Sequence, residues 1–578
     1  METRHPVTSR AALVFLVLVA AFHPLVLWNY GFEIADTGWA VLLMRDFSTR
    51  PDLIQTSAPW YLSWAIGHFF QEISGQKSWI AIRQAGFIPF LVPVLAVLMI
   101  GRITKSNRLE MAFGLCCTSL LSYSAFSLYQ LNYNSISLAL SIVAICLIIV
   151  GSSHANWIIR SASLFAAGAL VSFATSSRLP SILTVIPILF YIITSDYKKS
   201  FFKSISVLFL GFVGGVAAIL LLTWYFGHTK HYMTGLLDFM SGVVAGSGHT
   251  SHAGSSIVMI WIQTCLRVLI YTCIITVALL FVLQVIKRFK KFKIPALILV
   301  WTGLTLATWR GGVAGSIPLL QSLPLVAVAI AFADQKGIQN PYANSSKRVI
   351  LTGLVFAATF SFGSTNGFMI SLAAYWLVLP FIFDVMTTKD GKTIALLVLS
   401  SILTVSSYQA INPYWDQRVD RLQCKFKIPG VLGIISQCER VRETEEVVGF
   451  ILENSSQTDK IFIAQSSPAL YVLAGRSVWG SFPWPYLRSS QDMKNLLSKE
   501  YAEYPKLVVL DRLNVFNSKW PAGERQEPIQ HVTQSKEHFP IYLDFLTRQN
   551  YVQVYGNNTW KVYAQVQPPS AAKGAVGH

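Results

Sequence analysis

Apolar residues run in long blocks along the first 410 positions, separated by short polar links. A helix needs about 20 apolar residues to cross a bilayer. Stretches near that length lie at approximately 11–29, 80–101, 110–130, 132–151, 157–175, 180–195, 203–226, 256–286, 294–309, 313–333, 347–362, 367–386 and 392–410. They predict thirteen spanning helices. The 256–286 run is long enough to tilt or to extend beyond the bilayer. The first run carries His23-Pro24 and no clean small-x-small cleavage site, so it reads as an uncleaved helix rather than a signal peptide.

After residue 410 the pattern changes. "KIFIAQSS" and "KLVVLDR" are short apolar runs bounded by turn residues and predict buried strands. "ETEEVVGFILENSS" predicts an amphipathic helix, with Val447, Val448, Phe450, Ile451 and Leu452 available for one side. "SQDMKNLLSKEY" predicts another, and "YVQVYGNNTWKVYAQV" a hairpin with a Gly-Asn turn. Strands alternating with helices suggest a small α/β domain. The expected class is an α-helical polytopic membrane protein with a C-terminal outer-face α/β domain. The expected divisions are a membrane domain over 1–410 with an interfacial outer loop at 30–79, an α/β domain over 411–566, and a disordered tail over 567–578.

Composition supports this reading. The chain is 53% hydrophobic and 13% charged, against about 25% charged in soluble proteins. Its net charge of +18 sits largely in links such as "GRITKSNR", "SDYKKSFFK", "KRFKKFK" and "NSSKR". That is the positive-inside pattern, not a nucleic-acid footprint. With the N-terminus cytoplasmic, most basic links fall inside. The links at 30–79, 123–131, 176–179, 227–255, 310–312 and 363–366, and everything after 410, then fall outside. The expected location is a plasma membrane, bacterial inner membrane included, among membrane lipids. Cys116, Cys117, Cys146, Cys265 and Cys273 lie in predicted spans as packing residues, whereas Cys424 and Cys438 would pair in an oxidising compartment. No C-x-x-C or H-E-x-x-H spacing is present.

Candidate chemistry concentrates in "NYGFEIADTGWAVLLMRDF", where Glu33 and Asp36 stand three residues apart just after the first span. One reading is an interfacial helix with Asp36 as its N-cap. The other is a general base held beside a lipid-borne substrate, the pair sharing a helix face or one turn and raising each other's pKa. The segment that follows is rich in aromatics, and Trp60, Tyr61, Trp64 and Phe69 suit the headgroup level. Cations stand at other outer turns: Arg178 in "TSSRLPS", Arg310 in "TWRGGVAGS", and Lys230 beside His228, His231 and Tyr232. A guanidinium fork suits phosphate oxygens, and a snorkelling cation is the ordinary alternative for each. His249 and His252 in "GSGHTSHAGS" read as a polar loop that would suit a lid, not a metal site.

This layout resembles the GT-C superfamily of membrane glycosyltransferases, and within it the lipid A aminoarabinose transferase and protein mannosyltransferase-like group. The resemblance rests on "FEIADTGW" after the first span, the aromatic "SAPWYL" segment, the many spans, and "PALYVLAGRSVW" in the C-terminal part. Many members carry adjacent acids, whereas this chain has Glu-x-x-Asp. The resemblance implies an inverting transfer of sugar from a polyprenyl-phosphate donor to a lipid, glycan or protein acceptor. It assigns Asp36 as base, Glu33 as support, and Arg178, Arg310 and Lys230 to the donor phosphate. Trp60, Tyr61, His231 and Tyr232 would line the donor or acceptor. No cofactor is required, though the carboxylate pair could hold a divalent cation. A lipid or sugar transporter and an outer-face oligosaccharide ligase or polymerase are the alternatives.

Overall fold

The structure is a computed structural model that describes residues 6–74, 79–126, 130–245, 254–289, 291, 293–310, 317–334, 341–363, 367–413, 415–516, 518–521, 528–531 and 533–566. Among these, six helices are long and apolar enough to cross a membrane: Trp79–Thr104, Tyr133–Ser152, Trp157–Ser177, Phe201–Tyr225, Val258–Val285 and Lys389–Ala410. Shorter apolar helices run over Arg10–Leu25, Leu179–Thr194, Lys293–Thr308 and Leu319–Ala333. The 110–130 and 347–362 stretches are helical as Arg108–Phe126 and Pro341–Phe360.

The 367–386 stretch departs from the expected single helix. It folds as two 3-10 segments, Gly367–Leu377 and Leu379–Val385, with Tyr375 outside helical geometry at ψ 18°. Pro380 at the start of the second segment contributes no N–H to continue the first. Packing against the Arg108–Phe126 and Pro341–Phe360 helices compensates, and Ala373–Ile382 is fully buried.

Burial of the Phe201–Tyr225 and Gly254–Arg288 helices is inverted. Phe202, Leu210, Leu221, Trp224, Val277 and Phe281 point outward and exposed. Such an apolar face is tolerable in hydrocarbon and a liability in water. The connections gather at two ends. At one, Lys392 pairs with Glu110 at 3.0 Å, Lys293 with Asp390 at 2.8 Å, and Ser106 donates to Asp384. At the other, Ser63 donates to the Ser177 carbonyl, Leu131 N–H to the Ile82 carbonyl, and Trp79 N–H to the Gly430 carbonyl.

Among the described residues the C-terminal part holds seven strands. β1 (Cys424–Lys425) and β2 (Ile435–Ser436) form a small antiparallel pair. β3 (Lys460–Ala464), β4 (Ser477–Val478), β5 (Leu507–Asp511), β6 (Tyr551–Gly556) and β7 (Trp560–Gln565) form one mixed sheet in the order β4-β3-β5-β7-β6. β3 runs parallel to β4 and β5, and the β6–β7 hairpin completes the sheet antiparallel. The continuous apolar runs of β3 and β5 are buried on both faces, which is why they lack alternation. One face packs Phe462, Ala464, Val508 and Leu510 against Met493, Leu497, Tyr542 and Phe545. The other packs Ile461, Ile463, Leu507 and Val509 into the same core as Phe32, Ile34 and Trp39. The acidic motif therefore shares a hydrophobic core with the C-terminal sheet.

Cys424 and Cys438 are joined by a disulfide, with Cα atoms 4.8 Å apart, closing a loop of sequence separation 14. That loop carries Ile435 and Gly430, both bonded to the first part of the chain. Replacing both cysteines with serine is expected to lower stability by about 3 kcal/mol, the value for a loop near this length. The thermal midpoint of the purified protein without reductant reads it, and an unchanged midpoint would show that the loop is held by its hydrogen bonds alone.

Candidate active site

Residues 29–35, between the first helices, form no strand apart from an isolated bridge of Tyr30 to Ile435, and are clamped by the C-terminal part. Gly31 N–H donates to the Ile435 carbonyl, and Ile435 N–H to the Asn29 carbonyl, each at 2.7 Å. Phe32 N–H donates to Asp416 Oδ2 at 2.8 Å, and the Phe32 carbonyl accepts from Arg440 Nη1 at 2.7 Å. Arg440 and Asp416 form a buried ion pair at 3.4 Å. Arg440 also donates to the Trp415 and Trp520 carbonyls and lies 4.5 Å over the Trp520 ring. Arg83 holds the start of this segment through the Trp28, Tyr30 and Gly31 carbonyls. Gly31 has φ +79°, and a Cβ there would come within 2.2 Å of Pro413.

The Asp36–Arg45 helix follows. Residues 37–44 are all buried, so its apolar character runs all round the helix. A Cβ at Gly38 would lie 2.5 Å from the Ala469 backbone nitrogen, so only glycine permits this approach to the Ala469–Leu473 helix. Ala469 N–H donates to the Ile34 carbonyl, and Arg45 donates to the Tyr471 and Arg476 carbonyls. The "PALYVLAGRSVW" segment is thus the seat of the acidic motif.

The two acids divide their roles differently from the N-cap expectation. Asp36 does not cap the helix; it is the first helical residue. Glu33 does the capping, accepting from Ala35 N–H at 2.7 Å and Asp36 N–H at 3.1 Å on Oε1, and from Thr37 N–H at 2.6 Å on Oε2. An anion at a helix N-terminus meets unpaired N–H groups and the positive end of the helix dipole. Nor do the acids share a helix face, because Glu33 precedes the helix. Glu33 is buried, whereas Asp36 is only partly buried.

Burial, and then the Asp36 charge, push Glu33 up to about 7, against the three N–H bonds. Between its ordinary value of 4.5 and about 7, the folded protein keeps this proton while the unfolded chain has lost it. The Glu33 contribution to stability therefore rises as pH falls from about 7 toward 4.5. Subtracting the midpoint-versus-pH curve of Glu33→Gln from that of wild type isolates it. A difference curve flat across that window would refute the shift.

Aromatic side chains cluster around Trp39, three residues after Asp36. Trp39 packs against Trp60, Trp64 and Trp484 at centroid distances of 5.3, 5.1 and 5.6 Å. Trp60 also meets Tyr133 at 5.8 Å. The Asp36 charge acts on both Tyr133 and Tyr486, and Arg178 acts on Tyr133 as well. Buried Arg178 donates to the Phe360 and Phe362 carbonyls at 3.0 and 3.4 Å and sits 5.0 Å over the Phe360 ring. Among the described residues it has no ion-pair partner.

The other expected residues scatter. Tyr61 and Trp64 are fully buried rather than at a headgroup surface, because the platform helix Tyr61–Ser74 is roofed by its neighbours; Phe69 alone of that set is well exposed. Tyr61, His228 and Tyr232 form one packing cluster, with Tyr61 Oη 3.3 Å from His228 Nδ1 and the two tyrosine rings 4.9 Å apart. The expected 227–255 loop is helical over Thr229–Ala245. Lys230 on it is exposed and His231 half-exposed. Arg310 ends the Lys293–Arg310 helix, and its side chain lies outside the described residues, as do His249 and His252. Among the described residues no cluster of three metal-ligating side chains exists. Tyr133, Tyr486, Asp416 and Arg440 escaped sequence reading. An isolated tyrosine or ion pair carries no local signal, although "FPWPYLR" offered an aromatic run between prolines.

Fold and site together define an integral membrane protein whose C-terminal α/β part seats a carboxylate-bearing motif from the end of its first helix. No protein-family model and no curated protein matches the chain. Among solved structures it is similar to ArnT from Cupriavidus metallidurans bound to undecaprenyl phosphate, at 11% identity and TM-score 0.49, over 97% of this chain and 98% of that one. It is also similar to the Archaeoglobus fulgidus oligosaccharyltransferase in complex with Zn and sulfate, at 11% identity and TM-score 0.46, over 86% of this chain and 68% of that one.

Proposed function

We propose that the chain is an inverting membrane glycosyltransferase of the GT-C type, moving a sugar from a polyprenyl-phosphate donor to an acceptor on the outer face of the membrane. In this reading the N-terminus is cytoplasmic and the C-terminal α/β domain extracytoplasmic. The observation that carries the proposal is the division of labour between the two acids. Glu33 is buried under three N–H bonds, whereas Asp36 is only partly buried, and the more accessible carboxylate is the one assigned to the chemistry.

Asp36 accepts the proton of the acceptor group as that group attacks the anomeric carbon. The bond from that carbon to the phosphate oxygen breaks, and the phosphate leaves with the electron pair. Arg178, engaged through two N–H groups to carbonyls, has further donors for the developing charge. The aromatic walls at Trp39, Trp60, Tyr133 and Tyr486 suit a sugar ring and a prenyl chain. A lipid-borne donor needs no nucleotide loop. A divalent cation at the acids would have to compete with the N–H groups that Glu33 already serves, so the reaction is assigned to the side chains.

Lipid mass spectrometry on cells lacking the protein, with wild type or Asp36→Asn restored, tests this. One polyprenyl-phosphate sugar should accumulate, its sugar should vanish from an outer acceptor, and only wild type should reverse both. If no lipid-linked sugar changes, the transferase reading fails.

A further inference from the structure

The C-terminal part reaches back to the membrane helices through the loop closed by the Cys424–Cys438 disulfide. Its stretch "IPGVLGII", residues 428–435, carries no polar side chain, and Lys425 and Lys427 precede it. The loop is a closed hairpin. β1 pairs with β2, Phe426 N–H donates to the Ile434 carbonyl, and Gly433 N–H donates to the Phe426 carbonyl, each bond 3.0 Å long. The Phe426 ring packs on Phe32 at 4.6 Å. Val431 and Ile434 are fully buried. Leu432 is 61% exposed, Pro429 is exposed and Ile428 is half-buried. Lys425 and Lys427 are exposed as well.

An exposed leucine is ordinary on a soluble surface. The position of this one is what matters, because the hairpin is bonded beside the ends of three apolar helices. Ile435 exchanges two hydrogen bonds with Asn29 and Gly31, just after the Arg10–Leu25 helix. The Gly430 carbonyl accepts from the N–H of Trp79, the first residue of the Trp79–Thr104 span, at 3.1 Å. Ser436 Oγ and Gln437 Nε2 donate to Asp416, just after the Lys389–Ala410 span, at 2.6 and 2.9 Å. That last helix has 22 residues and is about 33 Å long, against a hydrocarbon thickness of about 30 Å. Its start carries the Lys392–Glu110 and Lys293–Asp390 pairs. Its Ala410 end therefore falls near the opposite edge of the hydrocarbon, and the hairpin is bonded just past that end. Val26 and Ile411, just past two of the three helices, are themselves exposed apolar residues.

We propose that the tip of this hairpin, residues 428–432, is a membrane anchor of the C-terminal part. Leu432 enters the boundary between headgroups and acyl chains of the leaflet beside it, and Lys425 and Lys427 meet the lipid phosphates. In the orientation proposed above, this is the outer leaflet. The occupant is the bilayer that the chain already spans. Apolar side chains of interfacial segments sit about 5–10 Å into that boundary. Lysines next to them extend their stems along apolar surface and place their charge among anionic headgroups. The disulfide and the ladder bonds already order the hairpin, so insertion has little chain entropy to overcome. The bilayer then holds the C-terminal part at a second place, separate from the Arg440 clamp.

The test uses the wild-type full chain in phosphatidylcholine nanodiscs, with or without phosphatidylglycerol. The probe is a phosphatidylcholine with a diazirine near the carboxyl end of one acyl chain. After irradiation, reduction and proteolysis, mass spectrometry locates the lipid adducts. The comparison segment is the Thr533–Arg548 helix, which bears exposed Leu543 and packs on the sheet face turned away from Phe32 and Trp39. Adducts on 428–432 are expected to exceed those on that helix roughly fivefold or more, as an interfacial position requires. Leu432→Asp should lose most of them while keeping its thermal midpoint in detergent, because the side chain is exposed. Leu432→Ile should retain them. Lys425→Gln combined with Lys427→Gln should lower the adducts in phosphatidylglycerol nanodiscs and leave those in phosphatidylcholine alone unchanged. Adducts on 428–432 no more frequent than on the comparison helix overturn the proposal. So does labelling that Leu432→Asp leaves intact, or a cross-link from this tip to a second copy in place of lipid. Labelling indifferent to both lysines and to phosphatidylglycerol overturns the headgroup contact. The wild-type measurement needs no variant to fold. It reads no sugar transfer, so it is decided separately from the transferase reading.

Discussion

Asp36→Asn is expected to reduce sugar transfer by a factor of about 10²–10⁴, the range a positioned general base contributes. Asparagine matches the size of aspartate and cannot take the proton. Glu33, not Asp36, accepts from the N–H groups of Ala35, Asp36 and Thr37 in the first turn. The variant should therefore insert, fold and keep its thermal midpoint. Transfer from the accumulated lipid-linked sugar to the acceptor, followed by mass spectrometry, reads the effect. Glu33→Gln makes the comparison sharper. An amide oxygen cannot accept all three N–H bonds as well as a carboxylate does, so this variant should lose stability together with activity. Activity at wild-type level in Asp36→Asn would move the base elsewhere.

Arg440→Ala should cost about 3–5 kcal/mol of stability, as expected when one partner of a buried ion pair is removed. Asp416 would remain buried, still accepting from Phe32 N–H, Ser436 and Gln437, but without its cation. The Phe32, Trp415 and Trp520 carbonyls would each lose a charged donor. Phe32 immediately precedes Glu33, so the loosened segment should displace the acids and lower transfer as well. Arg440→Lys keeps the charge but cannot reach all three carbonyls, and should fall between wild type and alanine. Denaturation midpoints and transfer measured on the same preparations test the coupling. An alanine variant that unfolds earlier yet transfers normally would show that the clamp holds the C-terminal part and not the site.

Part of this was legible in the chain itself. Long apolar blocks and basic links marked a membrane protein, because no soluble core accommodates so many consecutive apolar residues. The strands Lys460–Ala464 and Leu507–Asp511, the helix Cys438–Asn454 and the final hairpin follow from local patterns. The acids at 33 and 36 stood out as charges beside an apolar wall. Which acid caps and which stays more accessible did not. That depends on where the helix begins, and the boundary is set by contacts with Ile435, Asp416 and Ala469, some 380 to 435 positions away. Trp64 and Tyr61 looked interfacial because amphipathic aromatics suit headgroups; helices packed over them bury them instead. Local spacing determines which segments cross the membrane and which fold as strands, since those choices depend on neighbouring residues. Only the tertiary structure could bring Tyr133 under the charges of both Asp36 and Arg178, and Tyr486 under that of Asp36, because each comes from a separate segment and none has a nearby residue that betrays its partner.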